Sequence, residues 1–112
     1  MFKLAPNPSF PVKVLVHVPG QGRTQPFEVE FRHMSQSSLQ QFLEEVRGKK
    51  DAEAIDALAS IIVGWDGVAG ADGAPVPFSR AALATMIDLF PSAAQALFTA
   101  YAEELAGARL GN

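Results

Sequence analysis

Four valines at alternate positions limit what this chain can fold into more than any other feature. Val12, Val14, Val16 and Val18 are separated by Lys13, Leu15 and His17. A period of two suits an extended strand, whose successive side chains point to opposite faces, and β-branched residues pack well there. Pro19-Gly20-Gln21-Gly22-Arg23 follows as turn chemistry. Phe27, Val29 and Phe31 then alternate with Glu28, Glu30 and Arg32. The two runs predict an antiparallel hairpin over residues 12–34, with valines and phenylalanines on one face and mostly charges on the other. A two-stranded hairpin is marginal alone, so its apolar face demands a cover from the rest of the chain or from another chain.

The rest of the sequence offers helices for that cover. Ser37 and Gln40 fit a capping box, Leu39, Phe42, Leu43 and Val46 follow at helical spacing, and Gly48 stops the run. A second helix is expected from Asp51, with Ile55, Leu58, Ile61 and Ile62 on one side and Gly64 as its left-handed C′ residue. DGVAGADGAPVP, residues 66–77, reads as loop. Ser79 caps a third helix with the stripe Ala82, Leu83, Met86, Ile87 and Phe90, and Phe78 is placed to staple onto Leu83. Beyond Pro91, Ser92 and Gln95 fit a second capping box for a last helix carrying Leu97, Phe98, Tyr101 and Leu105, which Gly107 ends. The expected fold class is α+β, an N-terminal antiparallel β-hairpin followed by about four short α-helices. Residues 1–11, with Pro6, Pro8 and Pro11, form an extended arm; 12–112 form a single domain, with a helical part over 35–107 and a short tail over 108–112.

Composition narrows the function classes. The 112 residues contain no Cys, which removes disulfides, thiolate nucleophiles and Cys-ligated metals. The net charge is −3 and no basic run exceeds Lys49-Lys50, so a nucleic-acid footprint is missing. The longest unbroken apolar runs are far too short for a membrane span, and the N-terminus lacks a signal-peptide pattern; the chain reads as soluble and cytoplasmic.

Each candidate for chemistry has a plainer explanation. His17 and His33 have no ligand partner at helical spacing, so no metal site is expected. Ser35, Ser37, Ser38, Ser79 and Ser92 stand where helices begin, and capping accounts for them without a nucleophile. Glu44-Glu45 and Glu103-Glu104 are adjacent on helices and diverge by about 100°, as solvated faces do. Counted from Asp66, a calcium loop would need ligands where Val68, Gly70 and Pro77 stand. The stretch IIVGWDGV, Ile61–Val68, ends the second helix, and Trp65 just beyond it is expected to anchor that end to the core while leaving one edge open. No catalytic, cofactor-binding or metal-binding residue is expected.

Hydrophobic residues make up 48% of the chain and charged ones only 19%, below the usual share of about 25%. For a small domain without a ligand site, that surplus points to apolar surface meant for other chains. The expected partner-binding residues are Phe98, Tyr101 and Leu105 on the last helix and the rim around Trp65 and Phe90, although each taken singly also fits a place in the core.

The opening FKLAPNPSF with its valine strand, the central IVGWDGV, the helix start Pro77-Phe78-Ser79 and the close from Ala100-Tyr101 to GARLGN form an ordered set. That set resembles the tail assembly chaperone family of long-tailed bacteriophages. The resemblance implies a small non-enzymatic protein of the host cytoplasm, without cofactor. Its implied partners are the tape measure protein, which it keeps soluble, and tail tube subunits, which it recruits; self-association is also allowed, nucleic acid and membrane are not. A structural virion component, such as a tail terminator or head–tail connector, is the alternative, and a small enzyme or ligand-binding domain a third.

Overall fold

A computed structural model describes residues 1–48 and 51–107. The expected tail, 108–112, and the Lys49-Lys50 pair lie outside the described residues. The element order is β1 (Ser9–Val18), β2 (Arg23–Arg32), α1 (Gln36–Val46), α2 (Asp51–Ile61), β3 (Ile62–Asp66), α3 (Arg80–Leu89) and α4 (Ala93–Ala106). The α+β expectation and the antiparallel hairpin with four following helices are both observed.

The hairpin runs from Ser9↔Arg32 to Val18↔Arg23, three residues longer at its start than the valine pattern alone marks. His33 extends the pairing by donating its backbone N–H to the Pro8 carbonyl at 2.9 Å. Val12, Val14, Val16, Phe27, Val29 and Phe31 all point inward and are buried, so the period-two pattern places the core face correctly. Leu58, Ile61 and Ile62, Leu83, and Leu97 with Tyr101 come from the later elements to cover that face. The cover that the hairpin requires is therefore supplied within the chain.

One expected element changes identity. The chain leaves α2 at Ile61 and enters a third strand instead of stopping at a glycine cap. The strand order is β1-β2-β3, with Trp65 opposite Val29 and Glu28 opposite Asp66. Two physical causes act together. Ile61-Ile62-Val63 is a β-branched run that favours strand over helix, and β2 would otherwise present an unpaired edge. The register slips between Glu30 and Phe31, leaving Val63 as an extra residue that faces solvent. Gly67 at φ +87°, and not Gly64, holds the left-handed turn that follows.

The glycine-rich loop is also more ordered than its composition suggests. Ala69 and Pro75 form a β-bridge, the Val76 N–H donates to the Val68 carbonyl at 2.9 Å, and Asp72 accepts from the Ala74 N–H at 3.0 Å. Asp72 thus closes a turn, a role that Asp side chains fill by mimicking a backbone carbonyl.

The helix caps separate right from wrong expectations. Ser79 caps α3 as expected, its Oγ accepting from the Ala82 N–H at 3.0 Å. Gly107 ends α4 in the left-handed conformation. Ser35, and not Ser37, caps α1, because its extended backbone aims Oγ at the Ser38 N–H, 3.2 Å away. The capping box at Ser92 does not form: Ser92 has helical backbone angles and no side-chain cap bond, and Gln95 donates instead to Thr99. Ser79→Ala should therefore lower stability by about 1 kcal/mol, while Ser92→Ala should leave it nearly unchanged. Urea denaturation of the two variants measures the contrast.

Candidate functional site

The residues singled out as partner-binding lie in three settings. Tyr101 is in the core, fully enclosed, and presents no surface to another chain. Its ring lies 4.9 Å from that of Phe31, 6.1 Å from Phe10 and 6.3 Å from Phe42, and its hydroxyl donates to the Arg32 carbonyl at 2.8 Å. It ties α4 to the end of β2. The helical stripe of α4 could not reveal this, since Phe98 and Tyr101 share the spacing and only the position of the hairpin decides which of them is covered.

Burial pushes the Tyr101 hydroxyl up from its usual value of 10.0 to about 12. The neutral phenol is the form the fold prefers, so its contribution is complete below pH 10 and is lost as the pH rises through 12. Unfolding free energy should fall by up to about 3 kcal/mol across that window relative to Tyr101→Phe, which has no proton to lose. Alkaline denaturation of both proteins, compared pH by pH, isolates the contribution of this hydroxyl.

Trp65 is half-buried and stands edge-on to Phe27 and Phe78, with ring centroids at 6.1 and 5.1 Å. Its indole N–H donates to the Val76 carbonyl at 2.8 Å. The ring therefore clamps the loop 67–77 to the sheet. Phe90, at the end of α3, borders an open apolar groove of about 180 Å³ together with Val16, Val18, Phe27, Val68 and Met86. Phe27 is shared by the Trp65 contact and this groove, so the structure brings Trp65 and Phe90 into one neighbourhood.

Phe98 and Leu105 lie elsewhere, two turns apart on α4 and both half-buried. Phe98 meets Phe42 of α1 with ring centroids 6.0 Å apart. Helix α1 is the one to note, because it contains no buried residue at all. Its stripe of Leu39, Phe42, Leu43 and Val46 is only half-covered, with Leu39 and Phe42 packed on the core. A helix with so strong an apolar side normally hides it. The helical spacing marks this stripe as apolar without saying what covers it, since periodicity gives the direction of a face and not what meets it.

Among the described residues no group of three or more His, Cys, Asp or Glu is placed to hold a metal ion. His17 and His33 are exposed, and Asp56 is paired with Arg80 at 2.6 Å on the surface between α2 and α3. No single helix among them is long and apolar enough to cross a membrane. What the surface offers is apolar contact area arranged along helices.

A family model described as phage tail assembly chaperone matches residues 1–112, the whole of the chain. No curated protein and no solved structure matches it.

Proposed function

Because the chain belongs to the phage tail assembly chaperone family, we propose that it acts by holding apolar helical segments of the tape measure protein and helping to recruit tail tube subunits during tail assembly. The work is done in the cytoplasm of the bacterial host, by stoichiometric binding and without turnover. The observation that carries this reading is α1, an amphipathic helix with no buried residue, whose Phe42 meets Phe98 of α4. An extended, mostly helical partner can lay its own apolar stripe along such a face, in the manner of a helix in a groove. Leu105, two turns further along α4, lengthens the contact, and Leu43 and Val46 widen it on the α1 side.

Titration of a labelled tape measure fragment with the purified chain tests the reading. Binding should saturate at a fixed ratio, release the chain unaltered, and weaken at least about tenfold in Phe98→Asp, as expected for removing one well-placed aromatic contact. Circular dichroism confirms that the variant remains folded. Absence of saturable binding by the intact chain would sink the proposal.

A further inference from the structure

The N-terminal arm leaves three large apolar side chains almost fully exposed. Relative exposure is 118% for Met1, 89% for Phe2 and 96% for Leu4. Apolar side chains so exposed are stabilised when another surface covers them, and the prolines Pro6 and Pro8 favour extended backbone beside them. The same chain carries the unfilled apolar groove lined by Val16, Val18, Phe27, Val68, Met86 and Phe90. Its volume of about 180 Å³ accommodates one ring or branched aliphatic side chain with room to spare.

Fully extended, the arm reaches at most the near wall of its own groove, at Phe27 opposite Val14, about 20 Å along the strand from Pro8. Pro8 is fixed at one end of the hairpin by the bond from the His33 N–H. Val16 and Val18, which line the groove, stand at the other end, where the turn is. From Pro8 to Val16 the strand advances about 26 Å at roughly 3.3 Å per residue. Six residues separate Phe2 from Pro8, and fully extended they span at most about 22 Å. To run back along the strand towards the groove the arm would have to reverse direction at Pro8, and residues spent on that turn shorten its reach further.

We infer that the arm is an exchange element: Phe2 of one copy seats in the groove between the hairpin turn and α3 of a second copy, with Leu4 against its open rim. Within a second copy the distance restriction vanishes, and the extended arm approaches a groove that is already formed. This contact is separate from the α1–α4 face assigned to the tape measure protein, so either can fail without the other.

Light scattering of the full chain over a concentration series tests the inference. The unaltered protein should self-associate. A Phe2→Ser/Leu4→Ser variant should associate at least about tenfold more weakly, as burial of two apolar side chains implies. Its circular dichroism should be unchanged, because both side chains are fully exposed in the single copy. Val18→Asp, in the groove, should weaken association as much. Mixing the two variants should restore pairing, since one still has the arm and the other still has the groove. A photo-crosslinker at position 2 should mark the groove of the second copy. The inference is overturned if the unaltered chain stays monomeric, if the arm variant associates as well as it does, or if the mixture fails to pair.

Discussion

Phe31→Ala will lower the unfolding free energy by about 3–5 kcal/mol, the cost of removing a buried aromatic ring and leaving a cavity. Phe31 is fully buried. It sits in the central strand, opposite Phe10 in β1 and Ile62 in β3, and its ring lies 4.9 Å from Tyr101. The site has little freedom to collapse, because neighbours on three sides are held by strand pairing and the Tyr101 hydroxyl is fixed to the Arg32 carbonyl. A domain of this size is stabilised by only about 5–15 kcal/mol, so the loss is a large share of the total. The urea midpoint should drop sharply with an unchanged slope. A loss below 1 kcal/mol would show that the aromatic cluster is not where the helices and sheet are joined.

Trp65→Ala should come next, at about 3–4 kcal/mol, for loss of the edge contacts to Phe27 and Phe78 and of the bond to Val76. Its effect is also local in a way that Phe31→Ala is not. Residues 67–77 lose their clamp, so amide exchange should accelerate across that loop before it does in β1 or β2. Trp65→Phe separates the two contributions: the ring contacts persist, the Val76 carbonyl loses its donor, and the cost falls to about 1–2 kcal/mol. If Trp65→Phe were silent for stability but abolished tape measure binding, the ring would be a recognition residue and not an anchor.

These two residues also mark how much of the structure the sequence discloses. The hairpin was legible because a period of two over β-branched residues admits few other readings, and Val12 to Val16 and Phe27 to Phe31 all fall on the expected face. Helix ends with a left-handed glycine were legible for the same local reason, as at Gly107. Strand β3 was not. Ile61-Ile62-Val63 carries helical and strand character together, and the deciding factor was the open edge of β2, which lies some thirty residues earlier in the chain. The serine cap of α3 was legible at Ser79, while that of α1 was legible by type and misplaced by position, since only backbone angles select Ser35 over Ser37.

The candidate surface divides along the same line. That the last helix and the region of Trp65 and Phe90 are apolar follows from spacing. That Tyr101 is enclosed while Phe98 and Leu105 stay half-covered depends on where the hairpin docks, a relation between distant parts of the chain. That the stripe of α1 stays half-covered is likewise not legible from its spacing, because the same pattern serves a core-facing helix.

Co-expression with the tape measure protein tests the central claim most directly, with the soluble fraction of that protein as the readout. The account predicts that the tape measure protein moves from the pellet into a soluble complex with this chain, and that Phe98→Asp with Leu105→Asp returns it to the pellet while the variant itself stays folded. A tape measure protein that remains insoluble beside abundant, folded chain would contradict the account.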